Sequence, residues 1–173
     1  MTRFRIPLML GNVVELGGIF FALYLTYIAP DVPVVLLRFF LYLISWGCLV
    51  FFPHGLAHFV VGRLVGVRFH YYFLGRSAIT KLKLPILPAV ASRLPVLTLI
   101  VDRASLQLVK RGGRAVMFFS GAAASMIFPF FVAVASFGRL PLSLSYILVV
   151  LSAGNVIFDL YYSPKAGDIS RAK

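Results

Sequence analysis

The sequence predicts an all-α membrane protein with about four transmembrane helices and a basic cytoplasmic loop that contains short strand-like or interfacial segments. Three observations carry this expectation. The 173 residues are 61% hydrophobic and only 13% charged, with a mean hydropathy of +0.96, too apolar for a water-soluble fold of this size. Four apolar runs reach or approach the ~20 residues that cross a bilayer. The basic residues then sort to one side of the membrane those runs define. One domain covering residues 1–173 is expected.

The first run, residues 12–29, follows Arg3 and Arg5 and closes at Pro30-Asp31, as a short span entered from the cytoplasm would. A cleaved signal peptide is the alternative; the run exceeds the usual ~7 to 15 residue core and ends without a small-residue cleavage site. The second run covers residues 34–52 and meets Pro53. Proline suits the first turn of a helix, so HGLAHFVVGRLVGV continues helically behind a kink to about residue 66.

A cytoplasmic loop over residues 67–114 follows. Between Arg63 and Arg114 ten basic residues face one acid, Asp102, and Pro85, Pro88 and Pro95 break up the apolar stretch ILPAVASRLPVLTLIV. Those prolines and Arg93 argue against an ordinary span, which leaves residues 86–101 re-entrant, interfacial or cytosolic. Residues 115–137 and 141–162 form an antiparallel helical hairpin around Gly138-Arg139.

This topology places both termini in the cytoplasm, together with fifteen of the seventeen basic residues; Arg38 and Arg139 are the two outside. The positive-inside rule accounts for the net charge of +12 without nucleic acid. Membrane lipid is the expected partner of the basic loop, because basic residues beside an anionic leaflet are attracted to it. A lone cysteine, Cys48, excludes an intramolecular disulfide. The 17 Phe and 8 Tyr serve as core and belt residues.

Chemistry concentrates at His54 and His58. Four residues apart on a helix, both imidazoles project from one face, the spacing of a two-histidine metal site. They lie ~30 Å along the helix from Val34, near the cytoplasmic end of the bilayer core, where ionisable groups are costly and need partners. A third ligand is offered by Asp168, after a Ser-Pro break at the cytoplasmic end of the last span. Zinc accepts two imidazoles and a carboxylate and keeps a fourth position open. The plainer alternative is a solvated aspartate in a basic tail.

In three places, in order, the chain resembles the site-2 protease family of intramembrane zinc metalloproteases. HGLAHFVVGRLVGVRFHYYFLG resembles that family's HExxH helix, Gly-Val turn and following strand. RAVMFFSGAAASMIFPF resembles its small-residue span, with Gly121 and Ser125 on the element beside the substrate cleft. GNVIFDLYYSPKAGDISRAK resembles its last core span, where Asn155 precedes a proline and the metal-binding aspartate. The resemblance implies zinc on His54, His58 and Asp168, and a cleft beside Gly121, Ser125 and Asn155. Small residues four apart also let helices pack closely, with or without a substrate.

The departures bear on activity. The family's catalytic glutamate, directly after the first histidine, is replaced by Gly55, and Gly167 precedes Asp168 instead of following it. Without that carboxylate the proton transfer of peptide hydrolysis loses an agent ordinarily contributing ~100-fold to 10,000-fold. Glu15 and Asp159 are the two other acids at membrane depth that could replace it; Asp159, one turn from Asn155, is the favoured one. The plainer readings are pairing of Asp159 with Arg63 and a headgroup-level position for Glu15, and His70, in FHYYF, is expected as a strand or interface residue.

The leading expectation is a metal-binding, site-2-protease-like pseudoprotease or impaired protease that binds a transmembrane or membrane-proximal segment of a partner. Two others stand beside it. One is an active zinc metalloprotease or hydrolase using Asp159. The other is a non-enzymatic membrane subunit whose histidines hold no metal and whose loop docks lipid or a soluble partner.

Overall fold

Pro7 opens the first helix: its carbonyl accepts the Gly11 N–H at 3.0 Å, so the helix starts ahead of the expected run. In the computed structural model, which describes residues 5–76 and 95–167, strand β1 (Arg5–Ile6) leads into α1 (Leu8–Ile28) and a 3₁₀ turn (Ala29–Asp31). Helix α2 (Val35–Leu64) is followed by β2 (Phe69–Arg76), β3 (Pro95–Val101) and the short α3 (Arg103–Leu108). Helices α4 (Arg111–Ser136) and α5 (Leu142–Ala166) complete the order. Four of these helices are long and apolar enough to cross a membrane, and they fit a multi-pass membrane protein.

Helix α1 and the 3₁₀ turn after it bury Gly11, Glu15, Gly18, Ala22, Leu25 and Ala29 along one side. Their spacing alternates four and three, the pattern of a continuous seam between two helices at a shallow angle. Glycine lets α2 come close: a Cβ at Gly18 would collide with the Phe52 ring. Farther along, the hydroxyls of Thr26 and Ser45 lie 2.7 Å apart and share the Ala22 carbonyl.

Helices α2 and α4 run antiparallel. Successive contacts are Tyr42 Oη to the Ala135 carbonyl at 3.4 Å, Ser125 Oγ to the Val50 carbonyl at 2.9 Å, and His58 to Met117. Helix α5 joins through Ser145 to the Ser136 carbonyl, and through Trp46 Nε1 to Ser152 Oγ at 2.9 Å. At the end of the bundle where α2 begins, Arg38 donates to the carbonyls of Val32 and Arg139 and ties two turns together. The bundle core is Ala22, Tyr42, Leu49, Val132, Ala133 and Leu148. Phe20, Leu36, Phe51, Phe131 and Val150 point outward, an apolar exterior of the kind a bilayer solvates.

The all-α expectation requires amendment, because a three-stranded antiparallel sheet, ordered β1-β2-β3, lies at the opposite end. Two strands come from the region expected to be strand-like; the third, β1, precedes the first span and pairs Ile6 with Tyr72. Tyr72 in turn faces Leu99. A second core, Val67, Phe69, Met117 and Phe118, joins this sheet to the bundle. Within the stretch expected to be re-entrant, interfacial or cytosolic, residues 95–101 are strand; residues 86–94 lie outside the described residues.

None of the three internal prolines ends its helix, Pro129 within α4 included. Pro53 lies within α2, as expected, and Pro164 lies within α5, so the break expected at Ser163-Pro164 is absent. A proline removes one backbone donor, which a spanning helix tolerates when neighbouring elements hold its course. Helix α4 also starts earlier than expected, taking Arg111 and Arg114 from the loop into its first turn.

Candidate metal centre

His54 and His58 project from one face of α2 toward α4. Their rings stand nearly perpendicular, with centroids 4.7 Å apart and Nε2 atoms 3.2 Å apart. The partners of the outer ring nitrogens favour one tautomer of each ring. The Ser125 hydroxyl gives its one proton to the Val50 carbonyl, so at 2.9 Å from His54 Nδ1 it can only accept. His58 Nδ1 lies 2.7 Å from the Met117 carbonyl, which also can only accept. With Nδ1 as the donor on each neutral ring, the two Nε2 atoms would face each other as acceptors.

Two acceptor nitrogens at 3.2 Å repel unless a proton or a cation lies between them. The same separation fits one edge of a tetrahedral zinc site: at zinc–nitrogen distances of ~2.0 to 2.1 Å that edge is about 3.3 Å. Metal-ligating histidines also characteristically donate their other N–H to a carbonyl or oxygen acceptor. On these grounds the donor pair fits a metal ion.

The residues expected around a cleft stand close against this pair. A Cβ at Gly121 would overlap the His58 imidazole, so only glycine admits the ring there. Ser125 holds His54, and Asn155 Nδ2 donates to the Ser125 backbone carbonyl at 2.9 Å, bringing α5 to the centre. Sequence reasoning passed over Met117, because it contributes a backbone carbonyl that any residue would supply.

Glu15 is only 3% exposed and turned into the α1–α2 seam, and a Cβ at Gly55 would collide with its Oε1. Tyr72 Oη donates to Asn12 Oδ1 at 2.8 Å and leans on Glu15 Oε2 at 3.4 Å. Burial, and then the adjoining Glu15 carboxylate, push the Tyr72 phenol above its ordinary range, so it remains a donor.

Asp159 is half-buried on α5, a turn beyond Asn155, and has contacts of its own. Asp168 lies outside the described residues. Among the described residues no three His, Cys, Asp or Glu side chains gather into a metal-holding group. His70 is on β2 at the surface, with Nε2 3.8 Å from Asp102 Oδ1. Cys48 is half-buried within α2.

Comparison with known proteins adds no relative: no family model, no curated protein and no solved structure matches this chain.

Proposed function

We propose that this chain is a multi-pass membrane protein with a zinc centre on His54, His58 and Asp168, built on a scaffold resembling the site-2 proteases. It engages a transmembrane or membrane-proximal peptide segment of a partner. The observation that carries this reading is the pair of Nε2 acceptors, 3.2 Å apart, each oriented by a hydrogen bond on its other nitrogen. Ionisable side chains at membrane depth are costly and mark functional sites, which supports this reading.

Each residue has a part in this centre. Ser125 and the Met117 carbonyl fix the two rings, Gly121 leaves room for His58, and Asn155 joins α5 to Ser125. When bound, zinc supplies a Lewis acid that polarises a carbonyl and makes water more acidic. Gly55 has no side chain with which to move a proton. The basic segments, following the positive-inside rule, put the termini and the histidine end of the bundle in the cytoplasm.

The test is metal content. Protein purified in detergent without chelator and loaded with zinc is expected to hold about one ion per chain, lost in His54→Ala and in Asp168→Ala. A wild type that stays metal-free refutes the reading in favour of a proton shared between the rings.

A further inference from the structure

We propose that Glu15, on the first spanning helix, is the acid–base residue of the histidine centre and fills the place of the side chain that position 55 lacks. The inference rests on the metal reading above and extends it from binding to hydrolysis.

Three observations converge on Glu15. The first is volume: its Oε1 stands where a side chain leaving the Gly55 backbone would begin, directly after His54. The carboxylate reaches that place from another helix, which a glycine at 55 allows and any larger residue forbids. The second is its setting. Its neighbours along the α1 seam are glycine, alanine and leucine, yet this position carries an acid that is 3% exposed. The group beside its Oε2 is a phenol, Tyr72 Oη at 3.4 Å. A buried acid in a spanning helix points to function.

The third is orientation. Tyr72 Oη lies against Oε2, leaving Oε1 toward the histidine helix. Tyr72 is itself fixed: it is fully buried, bonded to Asn12, and seated over Gly11, where a Cβ would strike its ring. The acid is thus positioned by the sheet on one side and by Gly55 on the other. Asp159 is less enclosed and belongs to α5.

The step this permits is hydrolysis of a peptide bond. Water's oxygen bonds to the carbonyl carbon while Glu15 takes the proton. The carbon–nitrogen bond then breaks and Glu15 returns that proton to the leaving nitrogen, giving an acid and an amine.

The experiment uses cobalt, whose visible bands report on groups around the metal, in the full chain reconstituted in nanodiscs. Wild type, Glu15→Gln, Gly55→Glu and the exchange variant Glu15→Ala/Gly55→Glu are loaded with cobalt alone and also melted. Glu15→Gln is expected to bind cobalt with shifted bands. Gly55→Glu, forcing two carboxylates into one volume, is expected to melt lower, and the exchange variant to recover both the melting point and the wild-type bands. Cobalt bound with bands unmoved by Glu15→Gln overturns the role of Glu15 and leaves the metal reading intact. Cobalt absent from the wild type overturns both. Should Glu15→Gln fail to fold, the exchange variant decides: recovered bands support the proposal, and bands unlike those of the wild type overturn it.

Discussion

Ser125, on α4, engages two groups of α2 with one oxygen, accepting from His54 Nδ1 and donating to the Val50 carbonyl. Ser125→Ala removes the acceptor at His54 Nδ1 and the hydroxyl donor at the Val50 carbonyl. The variant is expected to bind zinc ~10 to 100-fold more weakly, measured by competition with a chelating dye. It is also expected to lose about 1 to 3 kcal/mol of stability in a detergent melt. Glu15→Gln separates binding from chemistry: zinc content is expected to stay near one per chain while cleavage of a single-span peptide reporter falls ~100-fold or more. Equal cleavage by both proteins contradicts the acid–base role. The histidine pair was legible in the sequence because both residues lie on one helix at a spacing that sets their geometry. Glu15 was visible as an acid within a span, but its position against Gly55 depends on how α1 registers against α2, and no local pattern encodes that.

The helices themselves were legible because a bilayer imposes length and apolarity on each span, and both can be read residue by residue. Their ends were less so. The start of α1 depends on the Pro7 carbonyl, and α5 runs on through Pro164, where a soluble helix would commonly stop. Strand β1 has two residues, too few for any periodicity, and exists through its pairing with Phe73 and Tyr72. The α1–α2 seam offers a test at this scale. Gly18→Leu would drive a branched side chain into the Phe52 ring, and it is expected to cost about 1 to 3 kcal/mol, or to part the helices, seen as a lowered melting point. The same substitution at Gly17, where a Cβ meets nothing, is expected to leave the melting point within about 0.5 kcal/mol of wild type.

Across the whole molecule the bundle has two unlike ends. One is tied by Arg38 across the Val32 and Arg139 carbonyls; the other carries the sheet, the short α3 and the described basic residues outside that tie. Reporters fused at either terminus are expected to read as cytoplasmic, and one inserted at Gly138 as lying across the membrane. Termini on opposite sides would contradict this topology. The count of spans and the bias of charge were both legible from composition along the chain. Strand-like pieces of the loop were legible too; the sheet they form with β1 was not, since it joins residues from before the first span to residues beyond the second.

Glu15 and Gly55 share one volume, so their histories are coupled. An acid cannot be gained at 55 while Glu15 remains without a clash, and it cannot be lost from 15 first without a stage that has no acid at all. Among any descendants of this chain the two positions are therefore expected to change as a pair, glycine with glutamate or glutamate with a small residue. Either single change would pass through a chain with two acids in one volume or with none.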